Sequence, residues 1–326
     1  MRLKPLTYTH TLHACYGGYI VQAIIANLAP LFFVVFQTAF DVSFEQIGRL
    51  ILLTFGTQLV VDLLSVKFVD KIGYRAALVL AHICSVAGLV MLGTLPRLLP
   101  EPYVGLTASV IVYAVGGGLI EVLISPIVDS LPGEAKASSM SLLHAFYSWG
   151  QVLVILTTTV CIGITGDGVW WVYPLLWAAV PLVNLFRVIR MPLAPPPAEE
   201  DKVPLKTLFS SRVFLVALLM MLCAGAAELS MSQWSSLFAE KGLGVPKLMG
   251  DLLGPCLFGL LMGVGRTVYG IWGRRFDLKK AMLASALLCI ACYGVTVFVP
   301  SPLPALLIAP ASLLENWKSE AAKFTP

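Results

Sequence analysis

Nine apolar stretches of about bilayer length follow one another along this chain, with short polar breaks between most of them. They cover residues 14–40, 50–66, 76–96, 102–128, 137–166, 168–186, 213–239, 252–273 and 281–300. A hydrocarbon core of roughly 30 Å takes about 20 apolar residues as a helix. Inside it, each backbone N–H and C=O must find its partner within the protein. Repeated runs of this length therefore predict an all-α membrane protein. Composition agrees: 58% of the 326 residues are hydrophobic and 12% are charged, where soluble domains carry about 25% charged residues. So apolar a chain has too little polar surface to face water, so its solvent must be lipid. A tenth run begins at Pro302 and loses its apolar character near Glu315.

The basic residues orient the spans. With a cytoplasmic N-terminus, seventeen of the 22 Lys and Arg fall in cytoplasmic segments. Four (Arg49, Arg97, Lys241, Lys247) fall opposite, and Arg266 lies inside a span. The positive-inside rule holds at every loop pair, which supports the helix count. Residues 187–212 differ from the other connections in being charged and proline-rich, with P-P-P-A-E-E-D-K at their centre. Such a segment reads as a semi-rigid solvated linker. The expected organisation is a six-helix bundle over 1–186, a cytoplasmic linker over 187–212 and a partial bundle over 213–326. The first run is too long for a signal-peptide core and reads as a retained helix.

Several function classes drop out. The net charge of +4 is spread over short loops, so no nucleic-acid partner is expected. The seven cysteines stand singly in apolar runs, without metal-ligand spacing. The sequence contains no phosphate-binding G-x-x-x-x-G-K-S/T, no G-x-S-x-G elbow and no H-E-x-x-H. Neither an enzyme nor a cofactor is expected, and energy for transport would have to come from a gradient.

Weak internal repetition points to a carrier. A shift of 204 residues lays Asp62 on Arg266, Asp70 on Arg274, Lys71 on Arg275 and Arg75 on Lys279. A shift of 206 lays Gln22 on Glu228 and Asn27 on Gln233. Inverted or parallel repeats of this kind are common in transporters. The stretch Asp70-Lys71-Ile72-Gly73-Tyr74-Arg75 resembles the loop signature of the major facilitator superfamily, G-x-x-x-D-R/K-x-G-R/Y-R/K. Val66 stands at the signature's leading glycine; the second copy keeps Gly270 and has Arg274 at the acid. A finer resemblance is to the fucose-permease-like sugar:proton symporters. It rests on Gly116-Gly117-Gly118-Leu119-Ile120-Glu121, on Ser141 to Gly150 (S-L-L-H-A-F-Y-S-W-G), and on Asn27-Leu28 with Phe36 to Phe40. Pro30 stands where that family usually has a proton-binding aspartate.

The resemblance implies a major-facilitator-type fold, with two pseudo-symmetric bundles about a central cavity. It implies alternating access, with the loop signature clamping the halves in one state. Against the superfamily's twelve spans, the chain would be C-terminally truncated, with three to four helices in its second bundle. The implied activity is secondary transport of a small solute, of the sugar class, with protons, in the plasma membrane. Two rivals are a multidrug or metabolite exporter of the same fold and a non-transporting scaffold, sensor or inactive fragment.

Ionisable residues inside spans cost about 2.5–3.5 kcal/mol each to insert and usually face a cavity or the bundle interior. Asp62, Glu121, Glu228 and Arg266 are such residues. Glu121 shares a helical face with Gly117 and Ser125, where a carboxylate can exchange a proton. Glu228 shares one with Ser232 and Ser235, near Gln233 and Trp234, a set suited to polar solutes. His144, Tyr147 and Gln151 lie on one face of the fifth span. With Gln22 and Asn27 these are the expected substrate and proton pathway. Asp62, Asp70, Lys71, Gly73, Arg75, Arg266, Gly270, Arg274 and Arg275 are the expected gate, with Asp62 and Arg266 a potential salt bridge.

Overall fold

The computed structural model describes residues 7–131, 136–193, 205–272 and 278–298, and all its regular structure is helical. Among these residues, eight helical segments are long and apolar enough to cross a membrane. The ninth apolar run forms the helix Leu278–Phe298. The tenth run and the polar tail beyond it lie outside the described residues.

The chain forms two compact units: Met1–Leu131 with Phe146–Leu193, and Pro132–Ala145 with Ala194–Pro326. In the first, the opening run makes α1 (Tyr8–Asn27), a 3₁₀ turn over Ala29–Phe32 and α2 (Phe33–Phe40). Pro30 sits in that turn, where its missing N–H and fixed φ suit a break in the helix. There follow α3 (Phe44–Ile72), α4 (Tyr74–Leu98), α5 (Pro102–Asp129) and α6 (Lys136–Thr165). The short α7 (Val172–Trp177) and α8 (Ala179–Arg190) together make the sixth span.

Local chemistry fixes the ends. Ser43 opens α3 with a capping box: its Oγ accepts from Gln46 N (3.2 Å), and its own N–H donates to Gln46 Oε1 (2.8 Å). Gly73 closes α3 at φ 81°, ψ 154°, a conformation nearly confined to glycine, and α4 starts at the next residue. The signature glycine thus lets two spans meet with one residue between them.

α4 and α5 pack backbone to backbone. A Cβ on Gly88 would come within 2.6 Å of Tyr113 Cβ and 2.7 Å of its Cα, so only glycine permits this approach. A buried polar network ties α1, α4 and α8 together. Asn184 donates from Nδ2 to Ala14 O (3.0 Å) and lies 2.9 Å from His82 Nε2. His82 Nδ1 lies 2.8 Å from Leu78 O, which can only accept, so the neutral ring carries its proton on Nδ1. Trp170 is buried, edge-on to Phe36 and Phe40 and tilted against Phe32, because three apolar rings reach it from the first run.

The second unit holds α9 (Leu205–Phe209), α10 (Arg212–Leu243), α11 (Lys247–Asp251), a π-helical turn over Leu252–Cys256, α12 (Leu257–Trp272) and α13 (Leu278–Phe298). The apolar start of α10 is exposed, with Val213 80% and Leu222 69% accessible, as suits a helix whose solvent is hydrocarbon. Its later turns bury Ser232, Gln233, Ser235 and Ser236. The opening turns of α6 also belong to this unit, where Ser141 Oγ donates to Arg266 O (2.9 Å).

Candidate functional site

In the first unit three helices bring polar groups to one place. α5 offers Glu121 and, one turn on, Ser125. α1 offers Tyr19 and Gln22, and α3 offers Gln58 and Asp62, each pair on one helical face. Tyr19 Oη and Ser125 Oγ are 2.9 Å apart, and Gln22 Nε2 donates to Glu121 Oε2 at 3.3 Å. Asp62 and Glu121 stand on α3 and α5, which pack against each other. Glycine leaves room at this convergence. A Cβ on Gly117 would lie 2.6 Å from Gln58 Nε2 and 2.9 Å from Gln22 Oε1; one on Gly118 would lie 3.1 Å from Gln58 O.

Three buried atoms here, Gln22 Oε1, Gln58 Nε2 and Asp62 Oδ1, have no hydrogen-bond partner among the described residues. A buried polar atom left so costs about 1–3 kcal/mol. Two acceptors and one donor on adjoining helices match a ligand that both gives and takes hydrogen bonds, as a hydroxyl does. Glu121 itself is exposed. The reading from sequence set Asp62 with the gate. It missed Gln58, although Gln58 and Asp62 stand four residues apart and so share a face.

The other first-unit candidates lie near one another in part. Asn27 is buried, donating to Ala23 O (2.9 Å) with Tyr147 Oη at 3.5 Å. Gln151, one turn beyond Tyr147, is 1% exposed.

The signature loop divides by residue. Arg75 spreads its guanidinium over the end of α8, donating to Ile189 O (2.5 Å), Met191 O (2.7 Å) and Val188 O (3.4 Å). Helix C-termini leave such carbonyls unpaired and favour a cation, so Arg75 works as a cap within its own unit. Lys71 is exposed in the last turn of α3, while the side chain of Asp70, the surroundings of Gly270 and the whole of Arg274 and Arg275 are not described.

In the second unit, Arg266 is buried on α12 and donates from Nη1 to His144 O (3.1 Å). Glu228 is half-buried, Gln233 is buried and Trp234 is 36% exposed along α10. The sequence reading passed over Asp251, which is fully buried. Its Oδ1 accepts from Ser236, and Lys247 Nζ lies 3.0 Å from Oδ2. The signal was the spacing, since Lys247 and Asp251 stand four apart on α11.

Comparisons with known proteins bear on the family and the fold. The family model of the Major Facilitator Superfamily matches residues 15–316. No curated protein matches the sequence. Among solved structures, the fold is similar to the fucose:proton symporter of E. coli, with a TM-score of 0.73 at 15% identity over 97% of this chain and 84% of that one. It is similar to a D-xylose-proton symporter, with a TM-score of 0.72 at 14% identity over 96% of this chain and 80% of the other. A bacterial homolog of the human lysosomal transporter Spinster has a TM-score of 0.67 at 14% identity, over 98% and 75%. At these identities the likeness is one of fold. The chain, a multi-pass helical membrane protein, belongs to the Major Facilitator Superfamily.

Proposed function

We propose that the protein is a secondary active carrier that moves a small hydroxyl-rich solute, a sugar, together with protons across the plasma membrane by alternating access. The observation that carries this reading is the cluster of Gln22, Gln58, Asp62 and Glu121, with its unsatisfied buried donor and acceptors. A sugar hydroxyl supplies the missing partners. The neighbouring carboxyl groups of Asp62 and Glu121 give a proton a place to load and leave, a role Pro30 cannot fill on the first span. Asn27, His144, Tyr147, Gln151, Glu228, Gln233 and Trp234 complete the pathway. Asp70, Lys71, Gly73, Arg75, Arg266, Gly270, Arg274 and Arg275 serve the gate. The N-terminus and the 187–212 linker are cytoplasmic. The sugar:proton symporters among the structural neighbours support the solute class without fixing it.

Uptake into proteoliposomes against a panel of sugars and organic ions, with and without a proton gradient, tests the proposal. Sugar uptake should rise with the gradient. Glu121→Gln should abolish gradient-driven uptake while sparing equilibrium exchange, because an amide cannot cycle a proton. Equal loss of both would move Glu121 to solute binding, and wild-type-like uptake would remove it from the mechanism. Efflux of apolar organic ions without any sugar uptake would favour an exporter.

A further inference from the structure

A cavity lined by none of those cluster residues opens beside the start of α1. The opening turns of α1, the last turns of α8 and Phe146 of α6 surround a cavity of about 590 Å³. His10, His13, Arg187 and Arg190 line it, and no acidic residue does. Arg187 and Arg190 are exposed and form no ion pair with any described residue. The nearby carbonyls at the end of α8 are already covered by Arg75, so the two arginines are not consumed in capping it. Thr7 N–H donates to His10 Nδ1 (3.1 Å), which leaves the neutral ring's proton on Nε2 as a donor.

The rest of the lining is apolar and firm. Tyr16 stacks on Phe146 with ring centroids 4.3 Å apart and planes 9° off parallel, and Ile20 continues that wall one turn along α1. Thr11 Oγ1 donates to Pro192 O at 2.5 Å, tying the start of α1 to the segment after α8. Hydrogen-bond donors at the ends of two spanning helices, cationic on α8, thus adjoin an aromatic wall further along α1. A free inorganic anion would use the first and leave the second bare. An anionic phospholipid uses both, and basic pockets between spans suit such headgroups.

We propose that this cavity binds an anionic phospholipid, its phosphate held by Arg187, Arg190, His10 and His13 and an acyl chain lying along Tyr16, Ile20 and Phe146. The site is independent of the transport reading and stands or falls separately from it.

The test is native mass spectrometry of the full chain in detergent, with phosphatidylglycerol or phosphatidylcholine of matched acyl chains added. One phosphatidylglycerol should be retained in preference to phosphatidylcholine. Arg187→Gln with Arg190→Gln should cut that preference roughly thirtyfold, equivalent to about 2 kcal/mol for two cations at a membrane surface. Arg187→Lys with Arg190→Lys keeps the charge and should retain most of the preference. Should that pair fold while the glutamine pair does not, Tyr16→Ala in the wild-type background should still weaken retention of the lipid. Equal retention of the two lipids would overturn the proposal. So would an equal loss on Arg49→Gln, which would reduce the effect to overall charge. Displacement of the lipid by inorganic phosphate alone would also overturn it, since the site would then recognise a free anion.

Discussion

Gln58 shows what a single side chain contributes here. Its amide nitrogen is buried without a partner beside Gly117, as is the amide oxygen of Gln22. If a sugar hydroxyl accepts from it during transport, Gln58→Leu removes one hydrogen bond at nearly constant volume. A neutral hydrogen bond contributes about 0.5–1.5 kcal/mol, so KM for uptake should rise by roughly three- to tenfold with little change in kcat. An unchanged KM in proteoliposomes would take Gln58 out of the binding site. Glu121 was legible in the sequence because a charge inside an apolar run is conspicuous by cost alone. Gln58 was not, because an amide costs less and its significance comes from Glu121, on another helix. The same holds for Asp251: a carboxylate between two spans reads as solvated until the structure shows it buried against Ser236 and Lys247.

Between helices, packing is set by what is missing from glycine. Gly88 lies against the backbone of Tyr113, so a methyl group there must push α4 from α5. Gly88→Ala should destabilise the protein by about 1–3 kcal/mol, the usual cost of overpacking. Gly163→Ala on α6, with nothing within 4 Å of the added carbon, should cost nothing and favour the helix. Thermal unfolding in detergent compares the two, and equal midpoints would refute a tight α4–α5 seam. The spans themselves were readable from apolar run length, a local signal, although α3 starts at Phe44, after the Ser43–Gln46 cap, where the apolar run began only at residue 50. Which helices touch was not readable, because glycine marks a close approach without naming the partner. The break at Pro30 divides the first run into two helices, and the sequence showed the proline without showing the 3₁₀ turn it sits in.

For the molecule as a whole, the proposed topology makes a direct prediction. In a chain freed of its seven cysteines, Ala198→Cys and Gly242→Cys should react with an impermeant thiol reagent from opposite sides of the membrane. Reaction from the same side would break the alternation on which the orientation rests. The burial of α1 bears on how such a chain is made. Some 83% of the most apolar stretch of Tyr8–Phe40, the span that α1 opens, is enclosed by protein, the largest share among the eight described spans. Yet Gln22 meets Glu121 across 99 residues and Tyr19 meets Ser125 across 106. At a synthesis rate of about 5–20 residues per second, α1 waits on the order of 5–20 s before those partners emerge. During that interval its faces touch lipid, and Gln22 lacks the carboxylate it later pairs with. The helix at the centre of the finished unit is therefore one that must leave the bilayer's hydrocarbon after α5 has been synthesised, and its enclosure is a late event in biogenesis.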